Sequence, residues 1–208
     1  MSLGESILQV AGDKGVSALV GIVVGSALTY FANKRLRIDD RNAIARENLE
    51  RRRREAVLQI IDTQIAFLER RLNEFLWPLS LCLRIDGAIW TKIPELHAGA
   101  RNMPTKAGQL IETQTLLPNH YRAVSLIEKN FHLVADEGDL ILQLIDYVQH
   151  VAVFKALRTT SLELNPIDVE AEFPAALPDE VQRVLAQSLS ALCKLRITRA
   201  EKVAALSV

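Results

Sequence analysis

Residues 15–33 read GVSALVGIVVGSALTYFAN, a stretch of nineteen residues without a charged side chain. Lys14 precedes it, and Lys34, Arg35 and Arg37 follow it. At a rise of 1.5 Å per residue, a helix of this length spans about 28 Å, close to the thickness of a bilayer's hydrocarbon core. A helix also satisfies its own backbone hydrogen bonds, as a segment that crosses lipid must. The stretch therefore predicts a transmembrane helix.

Two other interpretations of this stretch fit less well. A core helix in a domain of this size has a polar face, for which the stretch offers only Ser17, Ser26 and Thr29. A cleaved signal peptide has its positive charge before the apolar region, whereas the basic cluster here comes after it.

The charges on either side of the predicted span set its expected orientation. Residues 1–14 hold two acidic residues and one basic residue, and the span is followed at once by Lys34, Arg35 and Arg37. The positive-inside rule places residues 1–14 outside as a short extracytoplasmic tail and residues 34–208 in the cytoplasm. We expect the three basic side chains to contact the membrane surface, in a bacterial inner membrane.

Small residues recur every four positions along the span. Ser17, Gly21, Gly25 and Thr29 share one helical face, and Gly21–Gly25 has the G-x-x-x-G spacing that lets two helices approach closely in lipid. This face predicts self-association, and therefore a homo-oligomer. A pore lined by the same face is a narrower hypothesis.

The next segment, residues 34–76, has no glycine or proline and is rich in good helix formers. It predicts a charged helical stalk that continues the span. A row of apolar side chains recurs at intervals of three and four residues: Leu58, Ile61, Ile65, Leu68, Leu72 and Phe75. The row is typical of a coiled-coil seam, and packing against other helices of the chain explains it equally well.

Arg51, Arg52, Arg53 and Arg54 form the densest basic run of the sequence. Four consecutive helical residues turn through about 300°, so they encircle the helix instead of forming one basic face. They predict a solvated collar or a docking site for an acidic protein surface. Nucleic acid is not an expected partner, because no aromatic residues or known binding motif accompany them.

Charge and cysteine content fit a cytoplasmic domain on a basic stalk. The chain has 25 basic and 25 acidic residues, but residues 34–71 hold eleven basic and seven acidic ones. The remainder, residues 72–208, holds thirteen basic and sixteen acidic ones. Cys82 and Cys193 stand in apolar surroundings and are interpreted as reduced core thiols.

The remaining chain, residues 77–208, predicts a cytosolic α-helical domain. Trp77-Pro78 is expected to end or kink the long helix. A new helix is expected to begin at Pro118-Asn119, with Asn119 as its N-cap. Helices are predicted at residues 79–93, 105–115, 119–135, 139–158 and 179–205, with an acidic loop at 159–178. The predicted fold is thus all-α: one N-terminal transmembrane helix, a helical stalk and a cytosolic helical bundle.

The sequence contains no familiar catalytic motif, so we expect no catalytic residue, metal or cofactor. The four histidines, His97, His120, His132 and His150, fall on four predicted elements and are each interpreted as surface or helix-end residues. Asp136, Glu137 and Asp139 resemble the paired acids of a hydrolase, but their place at a predicted helix start favours capping.

Three functions remain open on these grounds. The favoured one is a non-enzymatic, single-pass membrane protein that self-associates through its span and stalk. Its cytosolic bundle would bind a partner protein or a small signal, for instance as a bacterial membrane effector in defence against phage. The second is a membrane-tethered adaptor or scaffold whose span is only an anchor. The third is a membrane-bound enzyme, which a buried cluster of two histidines and an acid would favour.

Overall fold

The computed structural model of the protein consists almost entirely of helices. It describes the backbone of residues 3–99, 103–160 and 164–205, and the side chains of residues 30, 33–37, 41–99, 103–160 and 164–205. The α-helices in this part are α1 (Leu3–Arg70), α2 (Trp77–Lys92), α3 (Lys106–Ile111), α4 (Leu117–Asn130), α5 (Gly138–Thr159) and α6 (Leu177–Ala204). The described residues include no strand, and the predicted all-α class is confirmed.

The chain divides into two compact units within α1, one of residues 1–57 and one of residues 58–208. In the first unit the backbone is helical from residue 3 to residue 57, and its described side chains are exposed. The four residues of the predicted self-association face, Ser17, Gly21, Gly25 and Thr29, lie outside the residues whose side chains are described.

Two prolines lie within helical segments because a π-helical turn precedes each of them. Arg71–Leu76 forms the first turn, and there the Trp77 N–H donates to the Leu72 carbonyl five residues back. Glu112–Leu116 forms the second, with Leu117 N–H donating to the Glu112 carbonyl. A proline ring clashes with the carbonyl four residues earlier in a regular α-helix, and the wider turn relieves that clash.

The helices therefore do not end where the prolines predicted. Helical structure is continuous from Leu3 to Lys92 and from Lys106 to Asn130. Of the two outcomes predicted at Trp77-Pro78, an end or a kink, the end is wrong, and the predicted restart at Pro118 is wrong as well. Asn119 is not an N-cap, because it lies inside α4.

Four helices form the core of the second unit. Helix α2 packs on α4 and α6, and α5 packs on the same two helices, so the contacts close a ring as in a four-helix bundle. The end of α1 and the following π turn add Ile61, Leu72 and Phe75 to the buried core. The later part of the apolar row, Ile65, Leu68, Leu72 and Phe75, thus packs against helices of its own unit, the second role that its spacing allowed.

The inward rows of α5 and α6 follow the predicted helical spacing. Their buried apolar residues are Leu140, Leu144, Tyr147, Val151, Phe154, Leu157, Leu177, Val181, Val184, Leu185 and Leu192. Cys82 is buried as predicted, but Cys193 is exposed, so the core interpretation is wrong for that thiol. Trp77 and Trp90 are about half exposed and are not core residues.

Among the described residues, α5 is the helix long and apolar enough to cross a membrane. Its inward side chains are core residues of the bundle, and the central helix of a globular domain meets the same two criteria. This candidate is not N-terminal. The N-terminal span predicted at residues 15–33 lies outside the described side chains except at Tyr30 and Asn33.

Two connections between helices have well-defined backbone geometry. After α2, a 3₁₀ turn at Pro94–Leu96 lies against α3, where a Cβ at Gly108 would come within 2.0 Å of the Glu95 carbonyl oxygen. Only glycine fits at this position. Before α6, a 3₁₀ turn at Pro166–Val169 ends in Glu170, whose φ of 56° lies in the left-handed region.

Candidate functional site

The basic residues singled out by the sequence are all exposed. Lys34, Arg35 and Arg37 have exposed side chains in the first unit. Arg51–Arg54 are also exposed, and the membrane contact and the partner docking predicted for these residues stay predictions. Within this run, Arg54 lies 3.5 Å from Glu50 and Arg51 lies 3.8 Å from Glu55.

The fold brings together polar side chains that are far apart in the sequence. Asp86 lies on α2, His120 on α4, and Tyr147 and His150 on α5. All four are buried, with His120 only 4% and His150 only 8% exposed. The surface or helix-end interpretation is therefore wrong for these two histidines, whereas His97 and His132 are exposed as predicted. We call these four residues the buried polar cluster.

His120 is at the centre of this cluster. Its Nδ1 lies 2.7 Å from the Tyr147 hydroxyl and 3.3 Å from Asp86 Oδ2. The ring of His150 stands edge-on to the ring of His120, with 6.0 Å between their centroids. Asp86, both histidines and Tyr147 thus form a contiguous group across three helices.

Asp86 is only partly satisfied by its neighbours. Its Oδ1 accepts a hydrogen bond of 2.7 Å from the Asn119 side chain, which also donates to the Cys82 carbonyl. Its Oδ2 is buried and has no hydrogen-bond partner among the described residues. The approach to His120 is therefore a close polar contact and not a hydrogen bond. Asn119, which was predicted to cap a helix, instead holds Asp86 in place.

Burial shifts the protonation of every group in the cluster towards its neutral form. It raises the pKa of Asp86 to about 6, against a smaller opposing effect of the Asn119 hydrogen bond. Burial, aided by His150, lowers the pKa of His120 to about 4, and burial also lowers the pKa of His150. The pKa of Tyr147 is raised, again mainly by burial. At pH 7 both imidazoles are neutral and Asp86 is an anion without a buried cation beside it.

His150 connects this cluster with a surface groove of about 830 Å³. One side of the groove is a face of α5 that includes Gln143, Asp146 and His150. The other side is the chain of residues 169–176, where the Ala171 carbonyl lies 2.8 Å from His150 Nδ1. The predicted acidic loop thus folds back over the central helix and leaves an open groove between them.

The acids at the start of α5 have a different environment. Arg71 donates to Asp136 at 3.2 Å and to Glu137 at 2.7 Å, and Glu137 also accepts from Arg183. No side chain caps the N-terminus of α5, so the capping interpretation is wrong in detail. Asp136 and Glu137 are thus both engaged in charge-assisted hydrogen bonds with arginines.

The described residues contain no group of three or more His, Cys, Asp or Glu side chains that could hold a metal ion. Comparison of the chain with protein-family models, with curated proteins and with solved structures gives no match.

Proposed function

We propose that the chain is a single-pass membrane protein that self-associates through its transmembrane and stalk helices, and that its cytosolic bundle binds a partner or a small signal. One concrete form is a bacterial membrane effector, in which a cytosolic trigger rearranges the clustered spans. The observation that supports this proposal is the uncharged stretch at residues 15–33, which Lys34, Arg35 and Arg37 follow at once.

Further support comes from the charges and the groove. The exposed Lys34, Arg35 and Arg37 stand at the cytoplasmic end of the proposed span, where the positive-inside rule expects them. The bundle in turn has an open groove with convergent polar side chains, a feature that suits the binding of a small ligand.

Self-association is tested by changing the small-residue face of the span. In the chain carrying Gly21→Leu and Gly25→Leu, we expect most crosslinked oligomers in native membranes to be lost, because two bulky side chains keep the helices apart. The matched control is Val23→Leu with Ala27→Leu, which adds volume about 200° away on the same helix. Equal crosslinking in all three chains would refute association through this face. Extraction of the wild-type chain by alkaline carbonate would refute the span itself.

The adaptor alternative differs in one measurable respect. If the span is only an anchor, an unrelated transmembrane helix in place of residues 15–33 should preserve activity. Under the favoured proposal the same exchange should abolish it, because the helix–helix contact is lost.

The enzyme hypothesis is supported by the buried polar cluster, which combines two histidines with an acid. Asp86, His120 and Tyr147 are each at most 4% exposed, however, so a substrate cannot reach them without displacing the helices. We therefore treat the cluster as part of the bundle's ligand-binding region and not as a catalytic centre.

A further inference from the structure

Two acceptor atoms face each other inside the buried polar cluster. The Asp86 carboxylate oxygen Oδ2 lies 3.3 Å from His120 Nδ1 and has no hydrogen-bond partner among the described residues. The Tyr147 hydroxyl lies 2.7 Å from the same nitrogen and makes no other hydrogen bond in the described part of the chain. The buried hydroxyl proton is satisfied only if Tyr147 donates it to Nδ1. His120 Nδ1 is therefore an acceptor and carries no proton of its own.

This arrangement lacks one proton. A carboxylate oxygen and the lone pair of an imidazole nitrogen are both electron-rich, and neither offers a hydrogen to the other. Their repulsion at 3.3 Å is weakly screened, because both side chains are buried. One proton added to Oδ2 converts the contact into a hydrogen bond from Asp86 to His120. That bond competes with the Tyr147 hydroxyl for the single lone pair of Nδ1, so the cluster has two alternative arrangements.

Neutral groups surround Asp86 on its own helix and on α5. Cys82 on α2 and Tyr147 on α5 interact electrostatically with its carboxylate, and both are neutral at pH 7 because burial raises their pKa values. His150, also on α5, stands beside His120 and is a neutral imidazole, since burial lowers its pKa. None of these groups supplies a positive charge to Asp86.

The other elements packed on α2 add no cation either. From α4, Asn119 donates to Asp86 Oδ1, and the exposed Arg122 forms no ion pair with the carboxylate among the described residues. From α6, the hydrogen bond to α2 joins two uncharged side chains. The first π turn holds Arg71, which is paired with acids at the start of α5. The charge of Asp86 is therefore removed by a proton and not by a neighbouring cation.

The protonation behaviour of the two residues places the proton on the carboxyl. Burial raises the pKa of Asp86 to about 6, and burial, aided by His150, lowers the pKa of His120 to about 4. As pH falls through 6, Asp86 takes up the proton while His120 stays neutral. The packed bundle holds this proton more tightly than an opened one, in which the carboxyl is solvated.

We propose that Asp86 Oδ2 and His120 Nδ1 form a proton-binding site that controls the packing of α2 on α4 and α5. Uptake of one proton from solvent joins the two atoms by a hydrogen bond and closes α2 on the other two helices. Return of the proton to solvent leaves two acceptors in contact and loosens α2. This inference goes beyond the proposed function, because the device lies within the bundle and acts whether or not chains associate.

The test is hydrogen–deuterium exchange, read by mass spectrometry, on the full chain in lipid nanodiscs. Asp86→Asn keeps an acceptor for Asn119 and places an N–H donor where Oδ2 was, so it fixes the proton-loaded arrangement. Relative to this variant at the same pH, exchange in residues 77–92 of the wild-type chain should become about tenfold faster between pH 5 and pH 7.5. The expected factor follows from the rise in the pKa of Asp86 from 3.8 to about 6.

Two controls accompany this measurement. Asp146→Asn makes the same change at an exposed acid of α5 and should keep the wild-type pH profile. Residues 177–204, which form α6 and contribute nothing to the cluster, should show no such change of ratio. A ratio in α2 that does not depend on pH would overturn the proposal. An equal change in α6 would also overturn it, because global unfolding and not a movement of α2 would then be measured.

Tyr147→Phe separates a proton-binding site from an acid that is merely buried. Without the hydroxyl, neutral His120 is free to carry its proton on Nδ1 and donate it to Asp86. The carboxylate is then stabilised, and the midpoint of the exchange profile should move down by about one pH unit. An acid that is only buried would keep its midpoint or move it upwards, because a polar group has left its surroundings. A midpoint at or above the wild-type value would refute the site.

Discussion

Two buried carboxylates in the bundle have opposite surroundings. Glu112, in the second π turn, is 2% exposed and receives two hydrogen bonds from Arg158, of 2.7 Å and 3.0 Å. Arg158 in turn donates to the Leu164 carbonyl and to the Asn165 side chain. Asp86 is almost equally buried but has neutral neighbours and one oxygen without a hydrogen-bond partner. A buried acid paired with a cation ties elements together, whereas one without a cation is ready to take up a proton.

The largest expected effect on stability is that of replacing Glu112, the acid that is paired with Arg158. Glu112→Ala leaves the largely buried Arg158 guanidinium without its carboxylate and with only the neutral acceptors of Leu164 and Asn165, and we expect a loss of about 3–5 kcal/mol in the free energy of unfolding. Urea denaturation of the full chain at pH 7 measures it. The control is Asp62→Ala, which breaks the exposed pair with Arg199 and should cost less than about 1 kcal/mol. Similar losses in the two variants would contradict the structural role of the buried pair.

Replacement of Asp86, the acid without a cation, is expected to raise the free energy of unfolding, by an amount that depends on pH. Burial raises the pKa of Asp86 to about 6 from 3.8, so the folded chain binds this proton more tightly than the unfolded chain. The contribution of Asp86 to stability is therefore fully present below about pH 4 and is lost as pH rises through 6. Asp86→Asn abolishes that dependence. Relative to wild type, its stability should rise between pH 4 and 6, reaching a gain of about 3 kcal/mol at pH 7.

Denaturation curves of both chains at pH 4.5, 5.5 and 7 provide the measurement. His120, whose pKa is lowered to about 4, loses stability as pH falls, so it acts in the opposite direction within the same range. His120 is present in both chains, so the difference between them reports the titration of Asp86 together with its coupling to His120. Parallel pH profiles would show that the two buried acids do not differ as the structure indicates.

The smallest expected effect on stability is that of replacing Tyr147, the neutral hydroxyl partner of His120. Tyr147→Phe keeps the volume of the core but removes the hydroxyl that lies 2.7 Å from His120 Nδ1. We expect a loss of about 1 kcal/mol in the free energy of unfolding. The ring-nitrogen NMR shifts of His120 should also change, while those of the exposed His97 stay the same. Unchanged His120 shifts would mean that the hydroxyl and the imidazole are not hydrogen-bonded.

Sequence reasoning succeeded where the signal is local. The 3.6-residue period placed Leu144 and Val151 on the inner face of α5, and Val184 on that of α6, because the pattern depends only on neighbours within one helix. The prediction of helix boundaries failed at Pro78 and Pro118. A proline is compatible with a helix end and with a position just after a π turn, and no residue type distinguishes the two.

The candidate site could not have been predicted in the same way. Asp86, His120 and His150 lie on three helices, and only the packing of α4 against α2 and α5 brings them together. The acidic loop was recognised from its composition, but its position against α5 depends on contacts such as that of Ala171 with His150. Long-range proximity of this kind has no signature in a single sequence.

The first π turn makes the chain length between residues 58 and 92 critical. Each residue advances a helix by about 100°, so deletion of one residue from Arg71–Leu76 would turn everything that follows by that angle. Leu79 and Leu83 would leave the interior, and polar positions of α2 would rotate inwards. The same deletion within residues 171–176 would disturb the contacts of Ala171 and Phe173 with His150 but would not turn a helix. Insertions and deletions should thus be better tolerated between the later helices of the bundle than at the π turn that joins α1 to α2.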